Sequence, residues 1–206
     1  MSLLFNTNGV FPTPVTFTNI ERELTPKEKK YIEKQAEKPY KNQGNLTSTN
    51  RYILRDKEMK GLSDVIDRAV AHYFQTVICP KNDVKLYTTQ SWLNWTEEGQ
   101  YHHKHAHPNS IVSGVFYVDA DPEVDKIYFF REGYQQIKFP TENFNPFNSE
   151  SWYFTVKTGD IVLFPSNLTH MVETKAGKNR RTSLAFNTFA KGYIGNEEEL
   201  TALHLS

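Results

Sequence analysis

Residues 158–170 read Thr-Gly-Asp-Ile-Val-Leu-Phe-Pro-Ser-Asn-Leu-Thr-His. Gly159-Asp160 is a turn signal, Ile161–Phe164 is an apolar run of strand length, and Pro165-Ser-Asn is a second turn. The stretch predicts a buried strand that delivers His170 to the start of the next one. The same β pattern extends on both sides. Candidate strands are Val84–Trp95, Ser110–Asp119, Lys126–Arg131, Gln136–Phe139, Ser151–Val156, Asp160–Phe164, His170–Lys175 and Arg181–Ala190. About eight closely spaced strands, separated by Gly, Pro, Asn and Asp, predict a sandwich or barrel.

Upstream of residue 83 the character changes. Residues 10–18 carry Pro12 and Pro14, which confine them to an extended edge segment. Thr25 caps a helix with Pro26 at its first position, and its polar composition to about Glu37 predicts a surface helix. Residues 41–50 read as a loop by composition. A second helix is expected from near Ser63. Leu62, Val65, Ile66, Ala69, Val70, Tyr73, Phe74 and Val77 recur at helical spacing and predict packing against a sheet, and Pro80 ends it. No composition shift marks a domain boundary. The expectation is one domain over 1–206, with an edge segment and supporting helices in 1–83 and the β core in 84–193.

The 206 residues hold 24 Lys and Arg against 24 Asp and Glu, a formal charge of zero. That disfavours nucleic acid, whose non-specific affinity comes from excess cations. Fourteen Phe and eleven Tyr favour strands. The lone cysteine, Cys79, excludes an internal disulfide and a cysteine zinc cage, and is expected to be a small buried hydrophobe. No stretch approaches the roughly 18 apolar residues of a membrane span, and Met1–Asn6 lacks the features of a secretory signal. A cytoplasmic protein is the expectation.

Chemistry concentrates in residues 100–109, Gln-Tyr-His-His-Lys-His-Ala-His-Pro-Asn. In an extended strand His103, His105 and His107 share a face, and His102 points away. A His-x-His pair plus the distant His170 gives three ligands on one side of a metal and leaves positions open, which suits non-haem Fe(II). The pair could be His105 with His107 or His103 with His105, and a solvated His-rich loop is the alternative. Eleven residues after His170 stands Arg181-Thr-Ser183-Leu-Ala-Phe-Asn187. Arg181 and Ser183 share a strand face, and a buried guanidinium beside a hydroxyl can grip a carboxylate. Arg180 should face the opposite way. Asp119 and Glu173 are nearby carboxylates that strand distance and parity exclude as ligands.

The stretches His105-Ala-His107-Pro-Asn-Ser-Ile-Val-Ser-Gly-Val-Phe-Tyr117, Gly159 to His170 and Arg181 to Asn187 resemble the motifs of a 2-oxoglutarate/Fe(II)-dependent oxygenase family of bacteria and phages, related to the prolyl hydroxylase-like group. The likeness is good over 84–190 and looser over 10–80. It implies a double-stranded β-helix, a jelly-roll barrel of cupin type. It maps the metal ligands onto His105, His107 and His170, and the co-substrate anchor onto Arg181 with Ser183. It also sets Tyr117, and Asn94 on the preceding strand, beside the co-substrate. The implied activity is a dioxygenase that uses Fe(II) and 2-oxoglutarate, with ascorbate as an optional addition, to hydroxylate a small-molecule or peptidyl substrate with release of succinate and CO2. One departure from most such enzymes is His-x-His where a His-x-Asp or His-x-Glu pair is usual.

Two other readings stand beside this one. A cupin-like metalloprotein without 2-oxoglutarate would share the barrel, but has no need of Arg181-x-Ser183. A non-catalytic β-sandwich binding protein could use the aromatics around Phe144, Pro146 and Phe147. Trp92, Trp95 and Tyr101 lie near the metal strand, as core residues or as lining for a substrate mouth. Residues 132–150 read as a lid or a long connection. The oligomeric state stays open, a homodimer included.

Overall fold

The structure, a computed structural model, describes residues 3–133, 137 and 139–206. Among them the strands are β1 (Thr16–Asn19), β2 (Tyr40–Lys41), β3 (Leu46–Thr47), β4 (Val84–Thr96), β5 (His102–His105), β6 (Val112–Asp119), β7 (Lys126–Phe130), β8 (Ser151–Thr155), β9 (Asp160–Pro165), β10 (His170–Val172), β11 (Arg181–Ile194) and β12 (Leu203–Leu205). The helices are α1 (Pro26–Ala36) and α2 (Lys60–Tyr73). The larger sheet runs β1-β9-β6-β11-β4-β3-β2, with β12 also paired to β11, and the smaller runs β5-β10-β7-β8. All pairings between these strands are antiparallel.

Strand alternation divides the packing into two main cores, with a small third cluster of Phe74, Val84 and Ala190. Leu93, Trp95, Phe116, Leu163, Leu184 and Phe186 leave the larger sheet on one side and pack with Ile53, Leu62, Ile66, Val70 and Tyr73. Each such side chain contributes about 1.5–3 kcal/mol by leaving water. The helices therefore cover the outer face of that sheet. Tyr117, Val162 and Phe164 leave the other face and meet Ile127 and Phe129 of the smaller sheet. Gly114 makes the outer core possible, because a Cβ there would lie 2.2 Å from Phe186 Cζ. Gly159, at φ +90, makes the turn into β9. Two facing antiparallel sheets in this strand order form the expected double-stranded β-helix.

Several expectations change in detail. Residues 41–50 are not merely a loop. Asn42 and Asn45 close a hairpin turn between β2 and β3, and β3 adds to the sheet through Leu46↔Trp95 and Thr47↔Asn94. α1 carries the expected Thr25 cap, completed by Glu28, but it is not wholly a surface helix. Glu28 is buried, where Arg22 pairs with it at 2.8 Å, and Ile32 joins the core. Cys79 is exposed rather than buried. It sits at φ 51, in the left-handed conformation that ends the helical turn Phe74–Ile78 just before Pro80. The expected strand Gln136–Phe139 falls at Gln136 and Lys138 outside the described residues.

Candidate active site

The inner face of the larger sheet is polar where its outer face is apolar. Asn94 lies opposite Ser183, which lies opposite Tyr117, so β4, β11 and β6 set these three in one row. Thr96 lies opposite Arg181 one row further on. Arg181, Ser183, Tyr117 and Asn94 are all buried. Arg180 points outward, with its side chain about half exposed and 3.9 Å from Glu97. The four expected co-substrate residues thus share a face and a neighbourhood. The Asn94 Oδ1 atom has no hydrogen-bond partner within the described chain.

The imidazoles meet on the opposite sheet. β5 pairs with β10 so that His105 lies opposite His170. His107 follows in the turn after β5, where its N–H donates to the Ser166 carbonyl at 2.8 Å. One nitrogen from each of His105, His107 and His170 falls within 4.8 Å of the others. Each ring is oriented from behind. His170 Nδ1 is 3.0 Å from the Leu168 carbonyl and His105 Nδ1 is 2.7 Å from the His103 carbonyl. A carbonyl accepts only, so both Nδ1 atoms carry the proton and both Nε2 atoms present lone pairs. His107 Nε2 faces His170 Nε2 at 3.3 Å. Asn187, itself bound by Ser113 Oγ at 2.9 Å, holds His107. Lone pairs converging on one point fit a divalent cation.

Burial keeps these rings neutral, and so ready to ligate. It pushes His170 down to about 3 and His107 to about 4, with neighbouring imidazoles adding to the effect. Burial lowers His105 as well, against the opposing pull of its hydrogen bond to the His103 carbonyl. The Tyr117 phenol is pushed up, first by burial, while the Arg181 charge pulls the other way.

His102 corrects the strand reading. It does not point away. Between His102 and His105 the β5–β10 register shifts, with Val172 opposite His102 and His170 opposite His105. Such a bulge reverses parity. His102 therefore stacks on His105, ring centroids 4.8 Å apart and 15° from parallel. His103 is not in the cluster that could hold a metal, although its ring lies 4.8 Å from that of His105.

Sequence reading missed the surroundings of Arg181. Its Nη2 donates to Thr96 Oγ1 at 3.0 Å, and its Nη1 lies 3.7 Å from Asp125 Oδ1. Asp125 is more closely held by Lys175, at 3.0 Å, and by the Asp121 N–H, at 2.9 Å. Lys175 and Asp125 are almost fully buried. Two cations and one anion leave this buried group with a surplus positive charge. The same three residues line a cavity of about 240 Å³ with Lys126, Tyr128 and Val172. Trp92 stacks near His107 at 5.8 Å, Trp95 lies in the outer core, and Tyr101 packs on Gly44 at the rim. Glu173 is engaged by Tyr128 and belongs to the wall of that cavity.

The fold, together with a family match over its central strands, is that of a 2-oxoglutarate/Fe(II) oxygenase, an oxidoreductase. Residues 90–187, from β4 to β11, match the family described as "Putative 2OG-Fe(II) oxygenase". No sequence match to a curated protein was found. Among solved structures, a Trichoplax adhaerens prolyl hydroxylase in complex with a hypoxia inducible factor peptide fragment is similar at TM-score 0.59 and 13% identity, over 85% of this chain and 83% of that one. HygX from Streptomyces hygroscopicus, with nickel, 2-oxoglutarate and hygromycin B bound, gives 0.57 and 12% over 85% and 82%. A Pseudomonas putida prolyl-4-hydroxylase gives 0.52 and 13% over 85% and 92%. At such identities the likeness is one of fold. No described helix is long and apolar enough to cross a membrane.

Proposed function

We propose that this chain is a 2-oxoglutarate- and Fe(II)-dependent hydroxylase in which His105, His107 and His170 hold the metal and Arg181, with Ser183, holds the far carboxylate of the co-substrate. The observation that carries the reading is the coexistence of three inward-facing imidazole nitrogens and a buried surplus cation on facing sheets of one barrel. When bound, Fe(II) and 2-oxoglutarate supply the oxidation of a substrate C–H bond with O2, giving succinate and CO2. The chain's part is placement. The Leu168 and His103 carbonyls fix the ligand tautomers. Arg181 supplies N–H donors that Thr96 only partly uses. Tyr117 stays protonated and can donate, and Asn94 Oδ1 remains available on the same face. Val162, Phe164 and Phe129 keep water from the space behind the rings.

The ligand set holds no carboxylate, so the metal keeps its full double charge, which favours a dianionic co-substrate. The substrate we infer is a small molecule or a peptidyl side chain, by analogy with neighbours that carry hygromycin B or a peptide fragment. A cytoplasmic setting goes with this reading, since one cysteine makes no demand for an oxidising compartment. The test is succinate release from 2-oxoglutarate with Fe(II), wild type against Arg181→Ala. The expected result is turnover in the wild type and a 2-oxoglutarate KM raised about 10²-fold or more in the variant. An unchanged KM would remove Arg181 from the site.

A further inference from the structure

His102 has no part in the metal cluster, yet it lies inside the barrel between that cluster and the guanidinium. On one side its ring stacks against His105. On the other it joins a chain of polar contacts that ends at Arg181. Arg181 Nη2 donates to Thr96 Oγ1 at 3.0 Å, Asn45 Nδ2 reaches the same oxygen at 3.5 Å, and Asn45 Nδ2 lies 3.4 Å from His102 Nδ1. The other end of the Asn45 amide is fixed too, since its Oδ1 accepts from Asn42 Nδ2 at 3.1 Å. With the amide so oriented, both of its protons face acceptors, Thr96 Oγ1 and His102 Nδ1. His102 then carries its own proton on Nε2. The result is a neutral donor on a ring that touches the triad on one side and is linked to Arg181 through Asn45 and Thr96 on the other.

We propose that His102, oriented by Asn45, is a further co-substrate contact that donates its Nε2–H to a carboxylate oxygen of 2-oxoglutarate. The inference rests on the reading of the triad and Arg181 given above. It assigns a function to the β5 bulge, which turns His102 inward, and to the β2–β3 hairpin, which brings Asn45 beneath it. A hydrogen bond to a charged acceptor of this kind is worth roughly a tenfold or greater change in affinity.

The test is calorimetric titration of 2-oxoglutarate into Mn(II)-loaded protein, with a separate titration of Mn(II) into the metal-free protein. For His102→Phe, which keeps an aromatic ring but has no donor, the expected result is 2-oxoglutarate binding weakened about tenfold or more with Mn(II) affinity within about twofold of wild type. His102→Gln, which restores a donor, should recover part of the loss, and His102→Leu, which has none, serves as the measurement if the phenylalanine variant does not fold. Asn45→Ala should weaken 2-oxoglutarate a few-fold and leave Mn(II) binding alone. Unchanged 2-oxoglutarate affinity in folded His102→Phe or His102→Leu overturns the proposal. So does a fall in Mn(II) affinity as large as that of His170→Ala titrated alongside, which would make His102 a metal ligand. If the wild type binds Mn(II) but no 2-oxoglutarate, the parent reading and this one fail together. Weakened binding in Arg181→Ala with none in the His102 variants would overturn this one alone.

Discussion

The two faces of β4 and β11 differ by one residue in register and by nearly everything in character. Leu93, Trp95, Leu184 and Phe186 point to the helices and form a dry core. Their neighbours Trp92, Asn94, Thr96, Arg181 and Ser183 point into the barrel, where polar groups are buried and one oxygen lacks a partner. The outer face gains by excluding water. The inner face costs stability, since each buried polar group must be matched or left unsatisfied. The lesson is a division of labour within single strands: the helix side supports a barrel side that is completed only by ligands.

The sharpest way to break this comparison is to damage the supporting face. Phe186→Ala opens a cavity over Gly114 and should cost about 3–5 kcal/mol in denaturant unfolding. The folded fraction should still bind metal, because no ligand touches that side chain. A loss of metal affinity without loss of stability would contradict the division. Next in size is Lys175→Met, which takes from Asp125 the nearer of its two cations and leaves it the guanidinium at 3.7 Å. A broken buried pair should cost roughly 3 kcal/mol, and 2-oxoglutarate should bind more weakly as Asp125 neutralises Arg181. Lys175→Met with Asp125→Leu should regain most of the stability, because an apolar pair replaces an ion pair at little net cost.

What could be read from sequence follows the same division. The apolar run Ile161–Phe164 and the helical spacing from Leu62 to Val77 announced the outer core, because periodicity reports which side of an element is dry. Residue type and spacing singled out His105, His170, Arg181 and Ser183 and left His103 and His107 as rival partners for His105, and it is His107 that the fold brings beside His105 and His170. His102 was misread because parity assumes an unbroken ladder, and a bulge leaves no mark in composition. Asp125 and Lys175 gave no signal. Their burial comes from contacts between segments distant in sequence, and local sequence presents them as ordinary charges, one just before a strand and one shortly after a strand. Cys79 was misjudged because its exposure depends on a left-handed cap, which residue type alone does not reveal.

A smaller effect separates the faces by pH. In the metal-free protein the imidazole pKa values lie below the ordinary 6.5, at about 4 for His107 and about 3 for His170. The unfolded chain therefore takes up protons first as pH falls below 6.5. Stability should drop by about 1.4 kcal/mol per pH unit for each such ring, down to its folded value, and should show no contribution from them above 6.5. The check is the difference between wild type and His107→Leu in guanidinium unfolding at pH 7.5 and 5.5. The wild type should lose more, by about one proton's worth. Equal losses would mean that His107 is solvated in the folded state.

The smallest expected effect is also the most discriminating, because it concerns the neighbour of a core residue. Asn94 sits between Leu93 and Trp95, and its Oδ1 has no partner within the described chain. If the inner face exists for ligands, Asn94→Ala removes an atom that costs stability and contributes nothing to folding. Unfolding free energy should then stay within about 1 kcal/mol of wild type or rise. The 2-oxoglutarate KM should increase a few-fold, which corresponds to about 1 kcal/mol of lost contact. Destabilisation of the size expected for Phe186→Ala, with KM unmoved, would show Asn94 to be a structural residue and would erase the distinction between the two faces at the very strand where it is drawn.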